Sequence, residues 1–114
     1  MQQLRVAQLR PWLAAQAAAG EPAPLLLDVR EPWEFALAAI HIDGVATLNW
    51  PMSSIPGRLA ELDGAQPIVC ICHHGMRSAQ VVAFLAHQGF GLAYNLAGGC
   101  EAWSQQVDAS VVRY

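Results

Sequence analysis

The chain has 114 residues, of which 54% are hydrophobic and 13% are charged, and this balance excludes an intrinsically disordered polypeptide. A chain of this length is expected to form one domain, residues 1–114, whose hydrophobic core needs no metal or disulfide support. The formal net charge is −3 and the six basic residues include no lysine, so no basic patch for a nucleic acid is expected.

The cysteines indicate a reducing compartment. Cys70, Cys72 and Cys100 are an odd number without the spacing of a disulfide framework, and no secretory signal opens the sequence. We therefore expect a cytoplasmic protein. The apolar segments are far shorter than the roughly 18–20 residues that cross a bilayer, so no membrane partner is expected.

The first part of the chain alternates strand and helix patterns. The segment Leu-Leu-Leu-Asp-Val over 25–29 is apolar except for Asp28 and is typical of a strand that is covered on both faces, whereas apolar residues at helical spacing follow position 6. Pro32 favours the start of a helix. The predicted elements are an edge strand over 1–5, a helix over 6–19, a strand over 25–29, a helix over 33–37, a strand over 46–49 and a helix over 55–62.

The second part repeats this alternation. Ile68–Ile71 is an apolar run that predicts another buried strand, and apolar residues at helical spacing over 79–88 predict the helix after it. A strand over 91–96, a tight turn at Gly98–Gly99 and a helix over 101–106 follow. The sequence thus predicts an α/β domain with a mainly parallel central sheet and helices on both of its faces.

Cys72 begins the loop between this buried strand and its helix. A thiol there lies near the helix N-terminus, whose dipole and free amides stabilise the thiolate, and Arg77 adds positive charge. Ligands of parallel sheets also bind at the carboxyl ends of the strands. The alternative is a small buried hydrophobe that ends a core strand. The polar, turn-permitting and cationic residues that follow favour a reactive cysteine with an anion site.

Other residues have plainer interpretations. Cys70 and Cys100 are predicted to be core residues. Adjacent ligands do not easily reach one ion, so we expect no metal. His73 and His74 are expected either to line the mouth of a pocket or simply to lie on the surface.

The polar residues after the second strand are also ambiguous. Asp28 and Arg30 are predicted to form a structural ion pair or a cap, and Glu34 is interpreted as a solvated helix charge. Most of the tryptophans are expected to pack in the core or at its rim, although Trp33 or Trp50 is also a candidate for the wall of a pocket.

The segment Cys72–Ser78, Cys-His-His-Gly-Met-Arg-Ser, resembles the active-site loop of the rhodanese family of sulfurtransferases, which has the form Cys-x-x-Gly-x-Arg. Two further segments are similar to family motifs and follow the family order. They are Leu-Leu-Asp-Val-Arg-Glu over 26–31 with Trp-Glu-Phe over 33–35, and Asn-Leu-Ala-Gly-Gly over 95–99 running to Trp103.

This resemblance implies a single rhodanese-like domain that works without a cofactor. Its Cys72 would accept sulfane sulfur from thiosulfate or a persulfide and so become a persulfide itself. It would then transfer this sulfur to cyanide, a thiol or a protein acceptor. Asp28 and Arg30 would support the rim of the site. The residues implied to bind the substrate are His73, His74, Gly75, Met76, Arg77 and Ser78.

Two alternatives stay open. Related phosphatases and arsenate reductases grip a tetrahedral oxyanion, but their loops carry one residue more between cysteine and arginine than the four found here. A larger oxyanion needs that wider loop. The other alternative is a sulfur carrier or interaction module without efficient turnover, although degenerate relatives typically lose the loop cysteine that this chain retains.

Overall fold

The structure, a computed structural model, describes all residues from 1 to 114. Its centre is a sheet of five strands in the order β1-β5-β4-β2-β3, and every neighbouring pair is parallel, as predicted. The strands are β1 (Gln2–Arg5), β2 (Leu25–Asp28), β3 (Ala46–Asn49), β4 (Ile68–Ile71) and β5 (Ala93–Ala97). The helices are α1 (Val6–Ala18), α2 (Pro32–Leu37), α3 (Met76–His87) and α4 (Gly99–Gln106), and two 3₁₀ segments cover Met52–Ser54 and Pro56–Glu61.

Two hydrophobic cores cover the two faces of this sheet. All residues of β2 and β4 are buried, and because alternate side chains of a strand point to opposite faces, Leu26 and Val69 enter one core while Leu27 and Cys70 enter the other. Helices α1 and α4 pack on the first face, and α3 packs on the second. The continuous apolar runs of the sequence therefore mark the central strands correctly.

The predicted helix over 55–62 is instead a short 3₁₀ segment. Pro56 lacks an amide hydrogen, and the Ser54 hydroxyl donates to the carbonyl oxygen of Pro51 three residues earlier, at 2.7 Å. Both features favour tight turns over α-helix. Of the three large apolar residues over 55–62, Ile55 is buried, whereas Leu59 and Leu62 are only half-buried.

Two helix starts also lie earlier than predicted. Helix α3 begins at Met76, so Met76, Arg77 and Ser78 form its first turn and are not loop residues. Helix α4 begins at Gly99, directly after a left-handed Gly98. In both cases a glycine with positive φ, Gly75 or Gly98, lies directly before the first helical residue and turns the chain into the helix.

A buried ion pair closes the carboxyl end of β2. Arg30 donates from Nε and Nη2 to the carboxylate of Asp28, at 2.9 and 2.7 Å, and both residues are buried. Burial alone lowers the pKa of Arg30, but the hydrogen bonds and charge of Asp28 outweigh burial and raise that pKa. The guanidinium also donates to the Ala38 carbonyl and, at 2.8 Å, to the Tyr114 hydroxyl. The predicted ion pair is confirmed, and it ties β2 to the end of α2.

Removing the carboxylate of this pair should destabilise the fold strongly. Asp28→Ala leaves the Arg30 cation buried without its counter-charge, and we expect the free energy of unfolding to fall by about 3–5 kcal/mol. Urea denaturation measures this loss. Glu61→Ala is the matched control, because Glu61 forms an exposed ion pair with Arg58 and its removal should change little. Equal effects of the two variants would contradict the importance of the buried pair.

Candidate active site

Cys72 lies immediately after β4, at the carboxyl end of the sheet, and only 1% of its surface is exposed. Its Sγ accepts a hydrogen bond from the Gly75 amide at 3.0 Å and lies 3.2 Å from the Ser78 hydroxyl oxygen. The sulfur thus faces the first turn of α3, where amides without intrahelical acceptors favour negative charge. Of the residues predicted to bind the substrate, Gly75 and Ser78 contact the sulfur directly.

The loop after Cys72 is held by the N-terminus of α4. The amides of Cys100 and Glu101 donate to the carbonyl oxygens of Cys72 and His73, at 2.9 and 3.0 Å. This contact requires a glycine at position 99, because a Cβ there would collide with both carbonyl groups and the residue has φ +58°. The Gly98–Gly99 turn therefore fixes the loop that carries the sulfur.

Asn95 of β5 holds both groups that contact the sulfur. Its Nδ2 donates to the carbonyl oxygen of Gly75 at 3.1 Å, and its Oδ1 accepts from the Ser78 hydroxyl at 2.5 Å. Nδ2 also donates to Gln3 of β1 at 2.9 Å. Asn95 has no predicted role of its own, although an asparagine in an otherwise apolar strand is a usable signal.

The interpretation of Glu34 as a solvated helix charge is wrong. Arg77 donates from Nη1 and Nη2 to its two carboxylate oxygens, at 2.7 and 2.8 Å, and the Glu34 side chain is only 6% exposed. The hydrogen bonds from Arg77 are the main reason why the pKa of Glu34 falls to about 2, against the opposing effect of burial. Glu34 belongs to α2, far from Arg77 in the sequence. Its carboxylate neutralises the positive charge of Arg77.

Three aromatic rings stack over the loop. The Tyr114 and His73 rings lie 3.9 Å apart and nearly parallel, and His74 stacks on the other side of His73 at 4.0 Å. The Tyr114 hydroxyl donates to Glu34 at 2.7 Å, so this residue joins the stack to the ion pair. Burial, and to a lesser extent Glu34, raises the pKa of Tyr114 to about 12. No local motif marks Tyr114, so its place at the site is not predictable from the sequence.

The surroundings of His73 favour its neutral form. Burial, followed by the neighbouring His74, lowers its pKa, and the carboxylate of Glu101 opposes them only in part. Its Nε2 is buried without a hydrogen bond and lies 3.6 Å from the nearer Glu101 oxygen. The imidazole therefore adds an aromatic surface to the site but no cation.

The tryptophans proposed for a pocket wall and the two other cysteines lie in different environments. Trp33 is 63% exposed and meets the Tyr114 ring edge-on at 6.0 Å, so it lies on the rim, whereas Trp50 is buried in the second core. Cys70 and Cys100 are buried as predicted, and burial is the main factor that raises the pKa of each thiol to about 12.

Three features of the whole molecule bear on the site. No group of three or more metal-ligating side chains lies together. No helix has the length and apolar character needed to cross a membrane. The three surface cavities are lined by other residues than Cys72 and its loop, so the sulfur is covered in this conformation.

Comparisons with known proteins converge on one family. Residues 10–106 match the family model described as Rhodanese-like domain. A sulfurtransferase of Allochromatium vinosum is 40% identical over 81 residues, which cover 71% of this chain and 72% of that protein. Thiosulfate sulfurtransferase GlpE of Stutzerimonas stutzeri is 34% identical over 87 residues, 76% of each protein. The crystal structure of a rhodanese-like domain protein from Staphylococcus aureus has a TM-score of 0.72 and 28% identity, and the match covers 90% of this chain and 91% of that one.

A methyl group at position 99 should disturb the loop. In Gly99→Ala the added Cβ meets the carbonyl groups of Cys72 and His73 at a backbone angle that alanine disfavours, and we expect a loss of about 1–3 kcal/mol in the free energy of unfolding. Urea denaturation measures it. Gly57→Ala is the control, because position 57 has open space and no positive φ, and its effect should stay within about 0.5 kcal/mol. Similar losses in both variants would contradict this role of Gly99.

The ion pair of Glu34 should make stability depend on pH. The pKa of Glu34 is about 2 in the folded protein against the usual 4.5, so its charge stabilises the fold above pH 4.5 and that contribution disappears as the pH falls towards 2. Because Arg77 is 37% exposed, we expect Glu34→Gln to cost a reduced amount, about 2–3 kcal/mol, at pH 7. Urea denaturation at several pH values should show the difference from wild type shrinking below pH 4.5. A pH-independent difference would contradict the assignment.

Proposed function

The chain belongs to the family of rhodanese-like domains, as its motifs predicted, and from that premise we propose that it transfers sulfane sulfur through a persulfide on Cys72. The donor would be thiosulfate or a related compound, and the acceptor cyanide or a thiol, free or on a protein. The observation that supports this proposal most directly is the Cys72 sulfur, which accepts the Gly75 amide hydrogen bond in front of α3. A thiolate at that position is a poised nucleophile.

In the first half-reaction the Cys72 thiolate attacks the outer sulfur of the donor. With thiosulfate, a bond forms between Sγ and the sulfane sulfur, the sulfur–sulfur bond of the donor breaks, and sulfite leaves with the bonding electron pair. The Gly75 amide and the first-turn amides of α3 stabilise the negative charge on the sulfur pair. No cofactor takes part in this step.

In the second half-reaction the acceptor removes the outer sulfur. An acceptor thiolate or cyanide attacks that sulfur, the bond to Sγ breaks, and the Cys72 thiolate is restored. Because donor and acceptor react in turn at the same sulfur, the kinetics are ping-pong.

Ser78 and Asn95 adapt to the charge on Cys72. The single hydroxyl proton of Ser78 lies within reach of both Asn95 Oδ1 and Cys72 Sγ, and it serves only one acceptor at a time. When Cys72 is a thiol, its S–H donates to Ser78 and Ser78 donates to Asn95. When Cys72 is a thiolate, the Ser78 hydroxyl turns to the sulfur. The nucleophile is thus stabilised without any movement of the backbone.

Access to the sulfur requires side chains to move. Cys72 is only 1% exposed, its loop carries the stacked imidazoles of His73 and His74, and the exposed Met76 follows that loop. Side-chain rotations at an exposed surface take place in nanoseconds or less.

The contacts of Arg77 and Cys72 support the oxyanion enzyme and the interaction module less well than they support sulfur transfer. An oxyanion enzyme would need a cation to grip its substrate, and the guanidinium of Arg77 is bound to Glu34. An interaction module would not need the amide hydrogen bond to Cys72. A sulfur carrier that hands its persulfide to a protein acceptor uses the same first half-reaction and is part of the proposal.

Replacing the cysteine should abolish sulfur transfer. We expect Cys72→Ser to form no thiocyanate from thiosulfate and cyanide, and to gain no mass of one sulfur atom after incubation with either thiosulfate or a thiol persulfide. Colorimetric thiocyanate assays and intact-protein mass spectrometry measure the two outcomes.

Cys100→Ala is the matched control for that experiment. The Cys100 thiol is buried and its pKa is raised to about 12, so it holds almost no thiolate, and its loss should leave transfer intact. Full activity of Cys72→Ser would contradict the proposal. Faster turnover of an aryl phosphate than of the sulfur donors by wild type would favour the oxyanion enzyme instead.

A further inference from the structure

The charged groups around Cys72 are matched in pairs. Arg77 is bound to Glu34, Arg30 to Asp28, and Arg113 to Glu101, whose amide holds the loop. The chain contains no lysine that would add a cation, and burial, followed by His74, lowers the pKa of His73 and favours its neutral form. The site therefore offers an incoming donor no unpaired arginine or lysine, only main-chain amides and the dipole of α3.

This charge balance discriminates between two classes of sulfur donor. Thiosulfate carries two negative charges, and bringing a dianion out of water needs compensating positive charge from the protein. In a thiol persulfide the two sulfur atoms carry at most one negative charge between them, and none when the outer sulfur is protonated. Any other charge lies on the organic part, away from the reacting sulfur. A helix N-terminus and a few amides are sufficient partners for one such charge.

The rim of the site suits the organic part of a thiol persulfide. Around the loop lie the stacked rings of His74, His73 and Tyr114, the Trp33 ring beside them, and Met76 at the start of α3. Trp33 is 63% exposed and Met76 is 75% exposed, so both are available for contact. An organic group gains free energy by covering such surfaces, whereas thiosulfate has no apolar part to place there.

We propose that the preferred donor is an organic thiol persulfide, and that Glu34 sets this preference by neutralising Arg77. This inference rests on the sulfurtransferase function proposed above. The Cys72 thiolate attacks the outer sulfur of R–S–SH, the sulfur–sulfur bond of the donor breaks, and the thiolate R–S⁻ leaves with the bonding pair. The proton stays on the transferred sulfur, so that Cys72 becomes a persulfide and no oxidant or reductant is consumed.

The test compares two donors in wild type and in Glu34→Gln. Glutathione persulfide and thiosulfate are the probes, and the rate constant for persulfide formation on Cys72 is measured at pH 8, where imidazoles are neutral, by alkylation and mass spectrometry. Wild type should react faster with glutathione persulfide. In Glu34→Gln the charge of Arg77 is released, and we expect the rate constant for thiosulfate to rise about tenfold while that for glutathione persulfide changes less than about twofold.

The comparison between variants removes the difference in intrinsic reactivity of the two donors, because that difference is the same for both proteins. The glutathione persulfide rate also reports whether Glu34→Gln retains a folded site. Glu61→Gln is the matched control, since Glu61 pairs with Arg58 on another surface, and neither rate constant should change. A thiosulfate rate that does not rise relative to the glutathione persulfide rate in Glu34→Gln would overturn the role of Glu34.

A measurement on wild type alone covers the case in which Glu34→Gln does not fold. Raising the salt concentration from about 0.01 M to 0.15 M shortens the Debye length from ~30 Å to ~8 Å, and a free cation in the site would then lose its attraction for thiosulfate. We expect the thiosulfate rate constant not to fall. A steep fall, or a faster reaction with thiosulfate than with glutathione persulfide, would overturn the inference. Sulfur transfer from neither donor would instead refute the sulfurtransferase function itself.

Discussion

The position of the Cys72 sulfur depends on two main-chain hydrogen bonds from α4 to the loop that carries it. The amides of Cys100 and Glu101 hold the carbonyl groups of Cys72 and His73, and this close contact is possible only because position 99 has no side chain. With its carbonyl groups turned towards α4, the loop directs the Gly75 amide and the first turn of α3 towards the sulfur. Two helix N-termini thus act on one short segment, one as its anchor and the other as its electrostatic environment.

A second layer of contacts connects the loop to remote parts of the chain. Glu34 binds both Arg77 and the hydroxyl of Tyr114, and that hydroxyl also accepts from Arg30, which is paired with Asp28. The network therefore joins β2, α2, α3 and the last residue of the sequence around the site. Its charges cancel, so the network gives the rim a fixed shape without giving it a net charge.

The sheet and most helices could be predicted from the sequence because their patterns are local. Apolar runs such as 25–27 and 68–71 mark strands that are buried on both faces, and the strand-to-helix position of Cys72 follows from the second of them. The 3₁₀ segment near Pro56 was missed because apolar spacing alone does not distinguish tight turns from an α-helix.

Glu34, Asn95 and Tyr114 were missed as site residues for another reason. Their importance comes from partners far away in the sequence, and no local periodicity carries that information. A glutamate on a short helix has the same appearance whether it faces solvent or an arginine from another element. Only the assembled fold brings Glu34 to Arg77 and Asn95 to Ser78.

The side-chain amide of Asn95 also connects the site to the margin of the sheet. It donates to Gln3 on β1, and β1 pairs with β5 alone. Strands at a margin fray more readily than central ones, and amide-hydrogen exchange detects such local opening. When β1 frays, Asn95 loses one of its three side-chain hydrogen bonds, and its hydrogen bonds to Ser78 and Gly75 become weaker. The hydrogen bonding around the buried sulfur is thus coupled to the local opening of β1, the edge strand next to β5.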